Sequence, residues 1–99
     1  MGRTKIIKKS IEPQSFIPDD TFDFHQLDNL SDYLVEKSLI QFIEDCYHKE
    51  NEKVLIITGK GKFVNPLVGK LLSSINHVKT FKKAGYFNGG EGAYEVELK

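Results

Sequence analysis

The segment Lys53–Leu72, KVLIITGKGKFVNPLVGKLL, decides how the rest of the chain is arranged. Its first part, Val54–Ile57, is an uninterrupted aliphatic run, which is typical of a central strand covered on both faces. Gly59–Lys62 then supplies two glycines, whose backbone can adopt positive φ, and two lysine cations. Asn65 and Pro66 predict the start of a helix, with asparagine as the N-cap and proline at the first helical position. A strand, a glycine-lysine loop and a helix start together favour binding of an anion.

Upstream, the pattern predicts one strand and one long helix. Thr21–Leu27, TFDFHQL, alternates, so that one face carries two phenylalanines and the other carries Asp23 and His25. That pair either is solvated or caps the next helix, or it forms part of a chemical site. Asp28 is the expected N-cap of a helix over about residues 29–48, whose apolar stripe has helical spacing.

Downstream, the pattern predicts a second helix over about residues 66–74 and then a hairpin. Gly69 lies mid-helix, where it favours a close approach between helix and sheet. Val78–Lys83 is a short edge strand, and the final strand begins at Ala93. In that final strand the alternation puts Tyr94, Val96 and Leu98 inward, with Glu95 and Glu97 outward.

The resulting order, β-α-β-α-β-β, predicts an α/β fold of two layers with a mixed four-stranded sheet. The first two strands should be parallel neighbours joined by a right-handed crossover. Their carboxyl ends then share one sheet edge, the edge where open α/β folds bind ligands. This geometry places Asp23 and His25 near Gly59–Gly61. Residues 19–99 form the predicted domain, and residues 1–18 a flexible basic arm.

The zero net charge conceals a segregation of charge along the chain. Residues 1–9 carry four basic residues and no acid, whereas residues 12–52 hold eleven acids against two lysines. Residues 53–90 then hold seven lysines and no acid. Such a stretch predicts a surface that faces a polyanion. In the alternative interpretation, some of these lysines pair with the glutamates of the last strand.

Several classes of protein are excluded or unsupported. The single cysteine, Cys46, allows neither a disulfide framework nor a cysteine-based zinc site within the chain, and the three histidines lack metal-binding spacing. Gly69-Lys70 is followed by leucine, so no phosphate-binding P-loop is present. No apolar run approaches the length of a membrane span. A cytoplasmic monomer without membrane association is the expectation.

Three motifs resemble those of the small MutS-related (Smr) domain family. Phe22–Gln26, FDFHQ, is similar to the family's L-D-x-H-G, and Thr58–Gly61 to its T-G-x-G loop. Gly89–Val96, GGEGAYEV, looks like its closing G-G-x-G-x-x-x-V. The resemblance covers about residues 19–98. It implies a two-layer α/β sandwich like the C-terminal domain of the translation initiation factor three family.

The resemblance also implies a function. The family binds branched or structured DNA, or ribosome-associated RNA, and several members are endonucleases. Carried over, the implied catalytic residues are Asp23 and His25. The implied nucleic-acid contacts come from the glycine-lysine loop, joined by the nearby lysines (Gly59, Lys60, Gly61, Lys62 and Lys70). The cofactor is unassigned, with Mg²⁺ as the candidate, and no metal-ligating residue is assigned.

Three positions depart from the family's usual residues. Gln26 replaces a glycine, Thr58 stands where many members have histidine, and Val68 falls where many carry arginine. A binding module for DNA, RNA or the ribosome without catalysis therefore remains the alternative to an endonuclease. A protein-interaction domain using the aromatic residues of two loops (Phe63, Tyr86 and Phe87) is a third interpretation, and the same rings suit stacking on unpaired bases. DNA or RNA preference stays open.

Overall fold

Four strands form one mixed sheet in the computed structural model, which describes residues 16–99. Strand β1 is Asp20–Asp23, β2 is Lys53–Ile57, β3 is Val78–Lys83 and β4 is Ala93–Leu98. The sheet order is β1-β2-β4-β3, in which β1 and β2 are parallel and the other two pairs are antiparallel. Helices α1 (Asp32–His48) and α2 (Val64–Leu72) complete the second layer. The predicted fold class, strand pairing and edge position of β3 are confirmed.

The core lies between the helices and one face of the sheet. β2 contributes Val54 and Ile56, both with no exposed surface, and β4 contributes alternate residues beginning at Tyr94. The helices supply buried residues at helical spacing, namely Val35, Leu39, Ile43, Cys46, Val68 and Leu72. Because this apolar area is removed from water on folding, its burial is the main stabilising contribution.

The first strand is shorter than the alternation predicts. β1 ends at Asp23, and Phe24–Gln26 forms a 3₁₀ turn instead of continuing the strand to Leu27. Phe24 still reaches the core, where it is 2% exposed and packs edge-on against Phe22. The prediction of a strand through residue 27 was therefore wrong, since an Asp23 side-chain acceptor turns the chain there.

The first helix begins four residues after the predicted cap. Ser31, not Asp28, is the N-cap of α1, and its hydroxyl accepts a hydrogen bond from Leu34 N at 3.2 Å. Asn29 has φ = +56°, a left-handed conformation that cannot belong to the helix. Serine and aspartate are equivalent caps by propensity, so the loop geometry decides between them.

The second helix begins earlier than predicted. α2 starts at Val64, so Asn65 and Pro66 both lie inside its first turn and Asn65 is not the N-cap. Proline remains acceptable there because the first N–H groups of a helix have no intrahelical acceptor. The asparagine side chain is buried and makes tertiary hydrogen bonds instead of capping the helix. Helix α2 also ends at Leu72 rather than Ser74.

The sheet face opposite the helices is partly covered near β4. Glu95 points to that face, as the alternation predicts, but it is only 7% exposed. Its carboxylate accepts hydrogen bonds from Gly85 N and Asn88 Nδ2 of the β3–β4 loop. The prediction of an outward residue is thus correct in direction and wrong in exposure, since the loop folds over this side chain.

The predicted arm falls largely outside the part of the chain that the structure describes. Its residues 1–15 are not among the described residues, whereas Phe16 is, and its carbonyl accepts a hydrogen bond from Asn88 Nδ2 at 3.0 Å. Within residues 16–99, neither helix has the length and apolar character needed to cross a lipid bilayer.

Candidate functional site

His25 is positioned by the turn that ends β1. Asp23 is the N-cap of this turn, and its Oδ1 accepts a hydrogen bond from the backbone N–H of His25 at 2.8 Å. The distance from His25 Nδ1 to Asp23 Oδ1 is 3.9 Å, which exceeds hydrogen-bond length. Asp23 therefore orients the backbone that carries the imidazole, and does not bind the ring directly. The imidazole side chain is 65% exposed, so solvent and ligands can reach it.

The imidazole of His25 lies against Gly59, the first residue of the glycine-lysine loop. A Cβ atom at Gly59 would overlap His25 Nε2. Gly59 also has φ = +78°, a conformation that L side chains rarely adopt. The positive φ favours glycine here, and a side chain at this position would also displace the exposed His25 ring. The expected convergence of β1 and the β2–α2 loop at one sheet edge is observed.

The backbone donors at the start of that loop are already engaged. Thr58 N and Gly59 N both donate to the carbonyl of Gly92, each at 2.9 Å. The N–H of Gly59 is therefore not available to an anion. The expectation that this loop binds an anion must rest on other groups of the loop. The exposed part of the loop begins at Lys60 and continues through Gly61 and Lys62.

Asn65 is a buried tether that sequence reasoning missed as a site residue. Its Nδ2 donates to Thr58 Oγ1 at 2.7 Å and to the Glu91 carbonyl at 3.0 Å. Its Oδ1 accepts from Lys83 Nζ at 3.1 Å. This side chain joins the glycine-lysine loop to the glycine-rich segment before β4. An Asn-Pro pair is typical of a helix start. The sequence therefore does not show that the Asn65 side chain links two loops instead of capping the helix.

The three candidate lysines, and Lys83 beside Asn65, occupy three kinds of position. Lys60 and Lys62 are exposed on the glycine-lysine loop, and the Lys60 side chain passes beside Gly92. Lys70 is exposed near the end of α2, about 9 Å along the helix axis from its start. The structure does not bring Lys70 to His25. Lys83 is engaged internally, by Asn65 and by the ring of Tyr94, whose centroid lies 5.4 Å from its Nζ.

The lysines of residues 53–90 make no ion pair with any residue from 16 to 99. In register, Lys82 lies opposite Glu95, but that carboxylate binds Gly85 N and Asn88. The pairing of these lysines with the last-strand glutamates is therefore not observed. Their charge remains largely directed at solvent, as a polyanion-facing surface requires.

Two carboxylates with lowered pKa values lie away from His25, where β1 begins. The N–H groups of Lys53 and Glu52 hold the pKa of Asp19 below its ordinary value. Lys49, whose Nζ is 2.8 Å from Asp20 Oδ2, lowers the pKa of Asp20 in the same direction. Both contacts fasten β1 to its neighbours, and neither forms part of the edge that carries His25.

The three departures from the family pattern have distinct environments. Val68 has no exposed surface and packs in the core, so it cannot contact a ligand. Thr58 is 6% exposed, and its Oγ1 bonds to the Gly59 carbonyl at 2.7 Å. Gln26 is exposed, with Nε2 3.4 Å from Asp23 Oδ2.

The described residues contain no group of three or more metal-ligating side chains. Within the described residues, the carboxylate of Asp23 lies beside His25, and its Oδ1 is engaged by the turn. Residues 16–99 therefore do not fit a self-contained Mg²⁺ site at this edge.

The family of the chain follows from comparison with known proteins. The sequence pattern of the Smr domain matches residues 23–99, which include β1's last residue and all later elements. The chain belongs to the Smr domain family. This membership was predicted from the three motifs, and it is confirmed.

Curated relatives and solved structures agree with the membership. Endonuclease MutS2 from two strains of Clostridium botulinum, Eklund 17B and Alaska E43, is 35% identical over 68 residues. Those residues are 68% of this chain but 8% of the relative, so the chain spans a small fraction of the curated relatives' length.

Two solved structures are similar in fold. The Smr domain of Thermus thermophilus MutS2 superposes with a TM-score of 0.72 at 21% identity, covering 81% of this chain and 98% of that one. YdaL, a stand-alone small MutS-related protein from Escherichia coli, superposes with a TM-score of 0.69 at 26% identity. The match covers 80% of this chain and 63% of YdaL. The two-layer α/β architecture is thus that of known Smr domains.

Proposed function

We propose that this Smr domain binds nucleic acid at the edge formed by the turn after β1 and the β2–α2 loop, and cleaves the phosphodiester backbone there. The observation that carries the proposal is the contact between His25 and Gly59. It sets an exposed, ionisable imidazole against a loop that continues directly into Lys60 and Lys62. A proton-transfer group beside cations is the combination that phosphodiester hydrolysis needs.

Each residue has a definite role in this proposal. His25 transfers a proton, taking it from the attacking oxygen or giving it to the leaving oxygen of the ester. Asp23 is a positioning residue, because its contact is to the His25 backbone N–H. Lys60 and Lys62 neutralise phosphate charge, and Gly59 and Gly61 keep the loop free of side chains. Lys70 contacts the phosphate backbone of the nucleic acid farther from His25, since it lies at the other end of α2.

The matched relatives support the class of activity. They are named endonucleases, and the matched region covers most of the described chain. Structured or branched DNA and RNA are both candidate substrates, and a ribosome-associated RNA is among them. The described side chains do not by themselves make a site for Mg²⁺, so the proposed roles belong to His25, Asp23 and the lysines. Testing cleavage with and without magnesium addresses this directly.

A non-catalytic binding module is the second candidate, and the environment of Val68 favours it. Many family members carry arginine at this position, whereas here a valine is fully buried in the core. If that arginine contacts the scissile phosphate elsewhere, this chain lacks the contact. Phosphate binding by the exposed lysines is unaffected by the difference.

The deciding experiment incubates the protein with labelled single-stranded RNA, duplex DNA and branched DNA, with and without magnesium. We expect His25→Ala to lower the cleavage rate by about 100-fold or more, which is the usual contribution of general acid-base catalysis. Asp23→Asn should lower it less, because the asparagine oxygen can still accept the hydrogen bond that positions His25. Affinity should change little in either variant.

His48→Ala is the matched control, since His48 is also exposed but lies at the end of α1, away from the edge. It should cleave as the wild type does. Cleavage that survives both site substitutions would overturn the assigned site. Binding without cleavage would establish the non-catalytic module, and absence of binding at low salt would reject both candidates. Affinity should fall steeply as salt rises.

A further inference from the structure

Two aromatic side chains are exposed on the β3–β4 loop. Tyr86 is 89% exposed and Phe87 is 65% exposed, and neither ring belongs to the buried core. Their rings meet nearly at right angles, with an interplanar angle of 83° and centroids 5.3 Å apart. The edge of one ring therefore meets the face of the other, and both rings remain largely open to solvent.

The exposure of these rings is built into an ordered turn. Tyr86–Asn88 forms a 3₁₀ turn that ends at Gly89, whose φ is +108°. Beneath it, the buried carboxylate of Glu95 accepts hydrogen bonds from Gly85 N at 2.9 Å and Asn88 Nδ2 at 3.1 Å. These contacts hold the ends of the turn against the sheet. The two rings lie between these anchored ends, on the side that faces solvent.

The turn lies at the same sheet edge as His25. Ala93, the first residue of β4, pairs with Ile57, the last residue of β2, so the segments before and after this pair are neighbours. The carbonyl of Gly92 binds Thr58 N and Gly59 N, which attaches the end of the β3–β4 loop to the glycine-lysine loop. The segment that carries the aromatic pair is therefore joined, through Gly92, to the loop of the proposed phosphate site.

The charge around the rings suits nucleic acid better than an apolar protein segment. Residues 53–90 contain no acid, and exposed Lys60 and Lys62 stand on the adjoining loop. Lys82 is exposed on β3, just before the turn. The exposed Glu91 is the one acid between the turn and β4. Aromatic faces bordered by cations are the features that hold stacked bases and their phosphates.

We infer that Tyr86 and Phe87 form a stacking surface for unpaired nucleobases. This inference rests on the proposed function and names its substrate class: a nucleic acid with unpaired nucleotides beside the phosphate held at the His25 edge. Bases within a continuous duplex are already stacked on each other and cannot use these rings. The chain therefore discriminates single-stranded or junction-containing substrates from continuous duplexes.

The test measures binding of the full chain to three labelled probes. They are a single-stranded oligonucleotide of about 12 nucleotides, the same backbone with abasic sites, and a continuous duplex of the same length. The double variant Tyr86→Ala, Phe87→Ala should bind the base-containing strand at least about fivefold more weakly than the wild type. Its affinity for the abasic strand and for the duplex should be unchanged. The dependence of its affinity on salt concentration should also be unchanged for every probe.

Two further variants make the result specific. The exchange Tyr86→Phe with Phe87→Tyr keeps both rings and should restore the affinity. Tyr33→Ala is the matched control, because Tyr33 is 66% exposed but lies on the acidic helix α1. It should bind all three probes as the wild type does. Thermal melting of each variant verifies that the fold is retained.

The outcomes separate this inference from the proposed function. The pair Lys60→Gln, Lys62→Gln should weaken binding to all three probes, because its effect is on phosphate contacts. If the lysine variant loses affinity and the ring variant does not, the stacking surface is rejected and the phosphate site stands. Equal loss by the ring variant on base-containing and abasic strands would also reject stacking. If the wild type binds no probe at low salt, both are overturned.

Discussion

Gly69 of α2 passes directly over the hydroxyl of Tyr94 in β4. A Cβ atom at Gly69 would stand 2.5 Å from that oxygen and 3.2 Å from the ring carbon that carries it. The hydroxyl is fixed in turn, since it donates to the backbone carbonyl of Asn65 at 3.1 Å. The predicted close approach between helix and sheet is thus real, and a specific side chain causes it.

This contact predicts that Gly69→Ala destabilises the protein. Alanine would ordinarily stabilise a mid-helix position by up to about 1 kcal/mol relative to glycine. Here the added methyl group meets Tyr94, and overpacking of this kind costs about 1–3 kcal/mol. We expect a net loss of about 1 kcal/mol in the free energy of unfolding, measured by urea denaturation.

Tyr94→Phe supplies the control for that prediction. It removes the oxygen that the methyl group would meet, so Gly69→Ala should cost less in the Tyr94→Phe background than in the wild type. The two substitutions are in contact, and a non-additive result is therefore expected. Strict additivity would mean that the hydroxyl is not what requires glycine.

Gly59→Ala is predicted to displace His25 and to abolish the proposed cleavage at this edge. The methyl group would overlap His25 Nε2, and φ = +78° disfavours any L side chain. Strain of this kind costs about 1–3 kcal/mol. We expect a lower melting temperature together with loss of cleavage that exceeds the loss of folded protein, measured on the same preparation.

Gly61→Ala is the matched control for the loop. It lies two residues away, and a Cβ there would have no heavy atom within 4 Å. Its melting temperature should therefore stay close to that of the wild type, and its rate of the proposed cleavage should fall far less than that of Gly59→Ala. If both alanines behave alike, general stiffening of the loop, rather than contact with His25, would explain the effect of Gly59→Ala.

How far the sequence predicts this site depends on the kind of contact involved. The pairing of β1 with β2 and the meeting of His25 with Gly59 follow from hydrophobic alternation, which is local in sequence, and from the rule for parallel crossovers. Glu95 and Asn65 escaped prediction because their burial depends on partners far along the chain. An alternating glutamate reads as exposed, and only the β3–β4 loop, which folds over it, makes it a buried acceptor.

Acid should weaken the attachment of β1 to the sheet. The pKa of Asp19 is lowered by hydrogen bonds from the N–H groups of Lys53 and Glu52, which it accepts at 3.0 Å and 2.9 Å. A carboxylate with a lowered folded-state pKa stabilises the fold above its ordinary pKa of 3.8. That contribution is lost as the pH falls through the lowered value.

The corresponding measurement compares melting temperatures at about pH 6 and about pH 3. Asp19→Asn should melt below the wild type at the higher pH, and the gap should narrow at the lower pH. Asp28→Asn, at an exposed loop position, removes a carboxylate without these contacts and serves as the control. A gap for Asp19→Asn that is independent of pH would contradict the assignment.

Asn65 should be among the least replaceable polar residues of the domain. Substitution by alanine leaves Thr58 Oγ1 and the Glu91 carbonyl without this donor, and Lys83 Nζ without its acceptor. Unsatisfied buried groups cost about 1–3 kcal/mol each, so we expect Asn65→Ala to lower the free energy of unfolding by about 2–3 kcal/mol. Asn65→Asp should lose nearly as much, because a carboxylate keeps the acceptor for Lys83 but cannot donate to the Glu91 carbonyl.

Asn76→Ala, at an exposed position, should change stability by no more than about 0.5 kcal/mol. Urea denaturation of the three variants checks the order, and an Asn65→Asp variant as stable as the wild type would contradict the tether.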